Sequence, residues 1–509
     1  MFDFSIVTQW IHQLLTSFLP EDVAVFIECL AIGVCILLTY AIIAIIMIFM
    51  ERKVCAAFQC RLGPMRVGPW GTIQVFADVF KMLIKEIIAI RHSDRLLYNL
   101  APYIVISASI MAFSCLPFSK GMEVLNFNVG IFFLTAASSI GVVGILLAGW
   151  SSNNKYSLIG AMRSGAQMIS YELSMGLSLL TIIVLTDTMQ LSEIVERQAD
   201  GWFIFKGHIP AFIAFVIYLI AGNAEVNRGP FDLPEAESEL TAGYHTEYSG
   251  MHFGLFYVAE FVNLFIIAGV AATIFLGGWM PLHISGLDSF NTVMDYIPGF
   301  VWFFGKAFFV VWILMWFKWT FPRLRIDQIL TLEWKYLVPI GLLNLLLMVI
   351  IVVFDLHFLS MKEKRSYLGG LMHGIGSLLT GMKITGREFF TKKVTEQYPE
   401  NRDTLKISPR FRGRLTMPTD AEGNHKCIAC GLCQMACPND TIHITSESVL
   451  NEETGKKKKV LVKYEYDLGA CMFCQLCVNA CPHGAIEFTT EFENAVFDRS
   501  TLVQTLNKK

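Results

Sequence analysis

Charged side chains are scarce in this chain. Only 16% of its 509 residues are Asp, Glu, Lys or Arg, whereas an average soluble protein carries about 25%. Hydrophobic residues make up 54%. This balance argues against a wholly soluble protein and indicates several membrane spans with at least one further domain. The net charge of −3 provides no broad positive field, so we expect no nucleic acid partner.

Several familiar targeting and binding signals are also missing. Met1–Pro20 has neither the positive region nor the small-residue cleavage site of a signal peptide, and no Arg-rich, acid-poor transit sequence is present. The second absence favours a prokaryotic membrane. Gly374-Ile375-Gly376 lacks the preceding strand and the third glycine that dinucleotide binding needs. We therefore expect any nicotinamide cofactor to be oxidised elsewhere.

Long apolar runs dominate the first 360 residues. A helix needs about 20 apolar residues to cross a bilayer, and eight segments are candidates: 24–50, 99–117, 129–150, 168–187, 209–223, 253–277, 298–317 and 336–359. The fifth is short by itself, and we expect it to extend into Ala224–Val226. The loops 51–95 and 318–335 are rich in Lys and Arg, whereas 278–297 has neither. Because positive loops stay in the cytoplasm, the first two are predicted inside and the third outside.

The join between the apolar and polar parts of the chain poses a problem. Eight spans that start outside return the chain to the outside near Ser360. The cysteine-rich part that follows is expected in the cytoplasm, where thiols stay reduced. A ninth crossing within 366–382, or a miscounted span upstream, would resolve the conflict. The rival interpretation is an amphipathic helix over Leu368–Phe390 that lies on the membrane.

Eight of the thirteen cysteines lie between Cys427 and Cys481. They form two copies of C-x₂-C-x₂-C-x₃-C-P, the run found in bacterial two-cluster ferredoxins. Three thiolates in a tight loop reach one cubane, and the fourth begins a helix that points it toward the other. The predicted ligands are Cys427, Cys430, Cys433 and Cys481 for one [4Fe–4S] cluster, and Cys471, Cys474, Cys477 and Cys437 for a second. Zinc and disulfides fit this spacing and compartment less well.

The predicted fold class is therefore an all-α polytopic membrane bundle followed by an α+β domain like a bacterial two-cluster ferredoxin. We expect about eight transmembrane helices, or nine if the join crosses the membrane. Short apolar stretches at Thr441–Ile444 and Ala485–Phe488 predict strands that cover the clusters. The expected divisions are 1–360 for the transmembrane domain, 361–426 for a membrane-surface segment, linker and wrap, and 427–509 for the cluster domain.

Acidic residues crowd the segment after the fifth span. Glu225, Asp232, Glu235, Glu237 and Glu239 lie within Ala224–Leu240, Glu247 follows, and Glu260 falls inside the next span. Carboxylates near membrane depth are costly. Neighbouring negative charges raise some of their pKa values, so that such groups can exchange protons near neutral pH. From physics alone, a solvated acidic loop and a proton relay fit equally well.

Residues 20–358 resemble the H subunit of respiratory complex I, which is called subunit 1 in mitochondria. The resemblance rests on the acidic loop and on three further blocks: Glu51–Pro69, Phe76–Lys81 with Lys85-Glu86, and Thr320–Gln328. Residues 370–509 resemble the I subunit of the same complex, a ferredoxin-like protein of which Pro409–Arg414 is typical. The chain thus looks like a fusion of two subunits. Cys60, in the first loop, departs from the pattern of the family.

This resemblance implies a proton-pumping NADH-quinone oxidoreductase that is active only in the assembled complex. The clusters would relay electrons toward quinone, the substrate, while the membrane domain would form the entrance of the quinone chamber and the start of the proton path. The residues implied there are Arg52, Arg61, Asp78, Glu172, Glu225, Asp232, Glu235, Glu237, Glu239, Glu247 and Glu260. The implied partners are the hydrophilic electron-transfer arm, the membrane pumping arm, quinone and the lipid bilayer.

The implied location is a bacterial inner (cytoplasmic) membrane, crossed several times, with the ferredoxin-like domain on the cytoplasmic side. Two other functions remain open. A related membrane-bound hydrogenase shares both subunit types but reduces protons in place of quinone. A non-catalytic, membrane-anchored electron carrier would have no chamber of its own. Pro409–Arg414 and the complete acidic loop favour the quinone reductase.

Overall fold

The computed structural model describes residues 5–18, 20–88, 90–199, 201–234, 237–281, 288–354, 367–420, 424–450 and 457–507. It contains two compact units, Met1–Thr395 and Glu396–Lys509. The first, here called the membrane unit, is helical. Its helices are α1 (Ser5–Thr16), α2 (Glu21–Phe58), α3 (Gln74–Ile84), α4 (Arg95–Ser114), α5 (Gly130–Ser151), α6 (Lys155–Thr186), α7 (Leu191–Glu196), α8 (Phe203–Lys206), α9 (His208–Glu225), α10 (Glu237–Leu240), α11 (Gly250–Phe275), α12 (Asp288–Asp295), α13 (Gly299–Thr320), α14 (Ile326–Thr331), α15 (Val338–Phe354) and α16 (Tyr367–Phe390).

Within the described residues, eight helices are long and apolar enough to cross a membrane: α2, α4, α5, α6, α9, α11, α13 and the continuous span Ile326–Phe354. Each overlaps one of the eight predicted segments, so the predicted bundle is confirmed. The start of α6 was predicted too late, at residue 168, because Arg163 and Gln167 interrupt the apolar run. The helix nevertheless begins at Lys155, since Arg163 pairs with Glu239 and Gln167 donates to buried carbonyl oxygens.

Helix α11 is the central helix of the membrane unit. Every residue from Leu264 to Phe275 is buried, as expected for a helix that is apolar on all sides and surrounded by protein. Small residues allow its neighbours to approach closely. A Cβ on Gly222 of α9 would lie 2.5 Å from Ile267, and one on Gly269 would lie 3.1 Å from Leu116. Close packing around α11 therefore positions the helices that carry the polar residues described below.

Helix α16 packs on the ends of α2 and α13. Trp316 Nε1 donates to Thr385 Oγ1 at 3.0 Å, and the ring of Phe389 lies 6.0 Å from that of Trp312. These contacts run antiparallel along α13. With the predicted sidedness, α13 runs inward, so a ninth crossing that returned the chain to the cytoplasm would run parallel to it. The observed direction does not agree with that ninth crossing, and α16 is not among the spanning candidates of the described residues. The preceding segment, 355–366, lies outside the described residues.

Residues 381–395, here called the strap, hold the beginning of the first loop. Cys60 Sγ donates to Glu388 Oε2 at 3.2 Å. The backbone N–H of Val394 donates to the carbonyl of Cys60 at 3.1 Å, and the N–H of Leu62 donates to Thr395 Oγ1 at 3.1 Å. Lys393 Nζ donates to the carbonyl oxygen of Ala57 at 2.9 Å. The strap thereby belongs to the membrane unit, although its sequence lies well beyond the last span.

The second unit, here called the cluster unit, combines two short helices with small antiparallel sheets. Strand β1 (Leu415–Thr416) pairs with β4 (Glu487–Phe488), and a second sheet has the order β2 (Ile442–Leu450), β3 (Lys457–Asp467), β5 (Val503–Thr505). The one-turn helices are α17 (Leu432–Met435) and α18 (Leu476–Asn479). The predicted α+β class is confirmed. The predicted stretches Thr441–Ile444 and Ala485–Phe488 overlap β2 and β4, and β2 extends further into a hairpin with β3.

Replacing Gly386 with Leu should loosen the strap. A Cβ at Gly386 would lie 2.8 Å from Trp316 Cζ2, so the packing must shift at a cost of about 1–3 kcal/mol. Trypsin cleavage after Lys392 and Lys393 should then accelerate, roughly fivefold or more. Gly376→Leu, on the same helix but with nothing within 4 Å of its Cβ, is the matched control. Equal cleavage rates in the two variants would contradict this docking of α16.

Candidate functional site

The two cysteine motifs fold in the same way. Ala429 and Phe473 occupy equivalent positions with φ of 57° and 52°, a left-handed conformation that is uncommon for residues other than glycine. Gly431 and Gln475 form a second equivalent pair, with φ of 80° and 69°. These turns wind each loop tightly before α17 and α18, which carry the third cysteine of each motif. The repeat in sequence is therefore also a repeat in backbone conformation.

Each motif surrounds a cavity together with the fourth cysteine of the other motif. One cavity is lined by Cys427, Cys430, Cys433 and Cys481, and the other by Cys471, Cys474, Cys477 and Cys437. These are the two predicted sets. No group of three or more His, Cys, Asp or Glu in the described part of the chain could hold a single metal ion. Sulfur atoms arranged around a cavity, not converging on one point, are the donor set that a cubane cluster needs.

Backbone N–H groups point at the cysteine sulfur atoms in a matching pattern. The N–H of Ala429 donates to Cys427 Sγ at 3.4 Å, and that of Phe473 donates to Cys471 Sγ at 3.3 Å. Cys437 and Cys481 accept from the residue four positions later, at 3.4 and 3.3 Å. Such donors stabilise negative charge on sulfur and tune the potential of a cluster. The residues present therefore fit two iron–sulfur clusters.

Tyr464 and Tyr466 are site residues that the sequence analysis missed. They lie two positions apart on β3, so both point to the same face, and both are almost completely buried. Tyr464 lines one cysteine cavity and Tyr466 the other. Tyr464 Oη donates to Cys433 Sγ at 3.4 Å. The alternating Tyr-x-Tyr pattern directly before the second cysteine motif was the signal that could have revealed them.

A larger cavity opens in the membrane unit between α2, α11, the end of α13 and the loop after α9. Its volume is about 510 Å³, which is within the usual range for a small-molecule site. Apolar and aromatic side chains form part of the wall, and ionisable side chains form the rest. The ionisable lining residues are Glu51, Arg228, Asp232, Tyr244, His245, Tyr257, Glu260, Lys318 and Arg323. We call this the charged cavity.

Arg228 is the central cation of the charged cavity. Its side chain is only 4% exposed and forms ion pairs with Glu51 and Glu260, the latter at 2.9 Å. Its guanidinium also lies 4.3 Å from the ring centroid of Phe261. Lys318 Nζ approaches the second oxygen of Glu51 at 2.8 Å. Two carboxylates and two cations therefore compensate one another in the wall of the cavity. Glu51 and Arg228 lie within the sequence motifs described above, but neither was predicted to belong to the site.

Asp232 and His245 border the same cavity from the loop between α9 and α11. Burial raises the pKa of Asp232 above its usual value, although the guanidinium of Arg323, 2.9 Å away, works in the opposite direction. Burial lowers the pKa of His245, opposed by the charges of Glu260 and Asp232. Desolvation thus disfavours the charged form of both groups. Burial therefore shifts the imidazole toward its neutral form, and the carboxyl group binds a proton more readily than an exposed aspartate.

The other predicted site residues do not form one cluster. Arg52 pairs with Asp78 between α2 and α3, and Arg61 donates to Gln59. Glu239 pairs with Arg163 at 2.6 Å, and Glu247 accepts from Asn154. Of the predicted set, Asp232 and Glu260 alone line the charged cavity among the described residues. Glu235 and the side chain of Glu237 lie outside the described residues.

Glu172 and Glu225 occupy the interior of the bundle. Glu172 accepts a hydrogen bond from Ser139 of α5. Glu225 lines a separate cavity of about 50 Å³ together with Ser109, Ser138 and Asn263. One water needs roughly 10–15 Å³ by this measure, so the cavity has room for about three. The Oε2 atom of Glu225 is buried and has no hydrogen-bond partner in the described part of the chain. We call the cavity that Glu225 lines the inner cavity.

A helical membrane unit that contains a charged cavity, followed by a unit with two cysteine-lined cavities, defines a membrane-bound iron–sulfur protein. The chain belongs to the NADH dehydrogenase family, whose model matches residues 31–349. Residues 426–485 match the 4Fe-4S dicluster domain. The predicted resemblance to the H subunit of complex I is thereby confirmed, and the second match agrees with a fusion to an iron–sulfur subunit.

Curated relatives match the membrane unit closely. The NADH-quinone oxidoreductase H subunit of Phocaeicola vulgatus is 89% identical over 358 residues, which is 70% of this chain and 100% of the relative. Its counterpart in Bacteroides fragilis is 78% identical over 358 residues, again 70% of this chain and 100% of the relative. NADH-quinone oxidoreductase subunit 8 of Rhodothermus marinus is 46% identical over 310 residues, or 60% of this chain and 91% of the relative. These relatives therefore resemble the membrane part of the present chain.

Replacing Arg228 with Met should destabilise the membrane unit strongly. The substitution keeps an unbranched chain of similar size but leaves Glu51 and Glu260 with an uncompensated buried charge, which costs about 3–5 kcal/mol. The melting temperature of the purified protein in detergent should fall accordingly. Arg95→Met is the matched control, since Arg95 is exposed and its loss should have little effect. A melting temperature equal to that of the control would show that Arg228 does not neutralise the pair.

Proposed function

We propose that this chain is a component of a proton-pumping NADH-quinone oxidoreductase that joins electron relay and quinone binding in one polypeptide. The observation that carries the proposal is the presence of two cysteine-lined cavities in a chain that also encloses the charged cavity between membrane helices. The quinone-reductase names of the relatives support it. Activity would require the other subunits of the complex.

The cluster unit would relay electrons. Cys427, Cys430, Cys433 and Cys481 would hold one [4Fe–4S] cluster, and Cys471, Cys474, Cys477 and Cys437 the other. Bound clusters supply one-electron carriers. The chain itself supplies thiolate ligands, backbone N–H donors to sulfur, and the buried Tyr464 hydroxyl beside Cys433. Because each motif contributes a ligand to both clusters, the two halves of the unit are tied together and the clusters stay close.

The membrane unit would bind quinone at the charged cavity and its surroundings. Reducing a quinone to a quinol consumes two electrons and two protons. Asp232 and Glu260 are carboxyl groups that can hold such protons, and His245 carries an imidazole that can donate or accept one. Arg228 and Lys318 would hold the carboxylates in place. The Arg52–Asp78 pair, with Arg61 and the acidic residues Glu235, Glu237, Glu239 and Glu247, would border the entrance of the chamber.

Glu260, Glu225 and Glu172 would extend the proton path from the charged cavity into the bundle. A change of charge on the quinone would alter the protonation of Glu260 and Asp232. The inner cavity, which has room for water beside Glu225, would carry this change in protonation further into the bundle. The partners that complete the machine would be a hydrophilic electron-transfer arm and a membrane pumping arm. We place the protein in a bacterial cytoplasmic membrane, with the cluster unit on the cytoplasmic side.

Electron paramagnetic resonance of the reduced complex should reveal how the ligands are shared. Cys437→Ser and Cys474→Ser should alter the same cluster signal, because both residues line one cavity. Cys481→Ser and Cys430→Ser should alter the other. If Cys437→Ser instead altered the signal that Cys430→Ser alters, each motif would hold its own cluster and the proposed ligand sets would be wrong. A purified complex without iron and acid-labile sulfide would overturn the electron-relay function altogether.

Replacing Glu225 with Gln should weaken the coupling between quinone reduction and proton translocation. Glutamine keeps the size of the side chain but cannot carry the proton that the path requires. In proteoliposomes containing the complex, the number of protons translocated per quinone reduced should fall to roughly half or less, whereas quinone reduction continues. Glu193→Gln, at an exposed ion pair with Arg197, is the control. Unchanged translocation in the Glu225 variant would remove this residue from the path.

A further inference from the structure

Glu333 lies where the eighth span changes its geometry. Helix α14 ends at Thr331, α15 begins at Val338, and the residues between them, Leu332–Leu337, form a π-helical turn. Such turns are rare and are frequent at functional sites. The side chain of Glu333 is completely buried, with 0% exposure. Burying a carboxyl group within a membrane span is costly, and such groups are therefore rare and usually functional.

The carboxyl group of Glu333 has one polar partner in the described residues. Ser174 Oγ of α6 donates to Oε2 at 2.9 Å, and Oε1 has no hydrogen-bond partner within the part of the chain that the structure describes. No Lys, Arg or His of the described chain forms an ion pair with it. Tyr171 is the titratable group that faces it from α6. Asp327 and Lys335, on the same span, are exposed.

The face of α6 that Glu333 touches is polar along most of its length. Its side chains recur every three or four positions, which places them on one side of the helix. All are at most 1% exposed: Ser164, Gln167, Tyr171, Ser174, Ser178 and Thr181. Several bond back to their own helix, as Ser178 does to the carbonyl of Met175 at 2.7 Å. We call this row the polar stripe, and Glu333 meets it at Ser174.

One hydroxyl group cannot compensate an ionised carboxylate that is fully removed from water. Burying such a charge without a cation costs several kcal/mol, and the group instead takes up a proton. Glu333 is also separate from the acidic residues already described. Glu172 of α6 bonds to Ser139 of α5, and Glu225 lines the inner cavity. Glu333 takes no part in either of these arrangements, and it does not line the charged cavity.

We propose that Glu333 is an additional proton-binding site of the membrane unit, occupied in the resting protein and emptied during turnover. The ligand is a proton. On release, the O–H bond of the carboxylic acid breaks, water accepts the proton, and the carboxylate remains without any change in electron count. That the proton leaves during turnover rests on the function proposed above, whereas its presence in the resting protein does not.

Infrared spectroscopy of the assembled complex can test the resting state. The difference between wild type and Glu333→Gln should contain the carbonyl band of a protonated carboxylic acid, and this band should shift in D₂O. Ser174→Ala should move the band to higher wavenumber, because the hydrogen bond to the carboxyl group is lost. Asp327→Asn, an exposed acid on the same span, is the matched control and should leave it unchanged. Carboxylate bands in place of the carbonyl band would overturn the proposal.

Reaction-induced spectra can then test turnover. When the wild-type complex reduces quinone, the Glu333 band should lose intensity, and Glu333→Gln should lack this change. Glu333→Leu, which removes the polar group, measures the effect of packing on assembly. A band that stays constant while quinone is reduced would restrict Glu333 to a structural role. A wild-type complex that reduces no quinone would instead defeat the proposed function, and the resting spectrum would still decide whether Glu333 holds a proton.

Discussion

A largely buried ionised side chain is costly unless an opposite charge lies beside it. Arg228 meets this constraint for Glu51 and Glu260, and Lys318 completes the set. These four residues come from α2, the loop after α9, α11 and α13. The requirement for neutrality therefore fixes the relative positions of these elements and keeps open a polar cavity that uniformly apolar helices would have closed. The structure offers no cation to Glu333 among the described residues. By the proposal above, Glu333 avoids an unmatched charge by holding a proton.

The cluster unit obeys a comparable rule for sulfur. Thiolates need hydrogen-bond donors, and backbone N–H groups can reach them only if the loop turns sharply. The left-handed residues Ala429 and Phe473 provide that turn, and the adjacent N–H groups face Cys427 and Cys471. Because both copies of the motif adopt one geometry, the cluster unit has two nearly equivalent cavities. Their differences, such as the hydrogen bond from Tyr464, would then give the two clusters different reduction potentials.

Local signals predicted much of this structure. The lengths of the apolar segments predicted all eight spanning candidates of the described residues. The spacing of the cysteines predicted the two sets of cysteines that line the cavities of the cluster unit. Interactions between distant segments were missed, because Glu51 and Arg228 are far apart in sequence and no pattern links them. Proximity of acidic residues in sequence was also a poor guide to one site, since Glu239 and Glu247 have partners of their own away from the charged cavity. The glycine-rich join could not be interpreted until its contacts with Trp316 and Cys60 were known.

The strap has a consequence for biosynthesis. The first loop emerges from the ribosome early, whereas the residues that hold Cys60 and Leu62 are translated after all eight spans. That corner of the membrane unit can therefore reach its final form only when synthesis has passed residue 395. Since the cluster unit follows directly on the same polypeptide, every finished membrane bundle carries its own iron–sulfur domain. The fusion thus enforces a one-to-one ratio that separate genes would have to achieve by balanced expression.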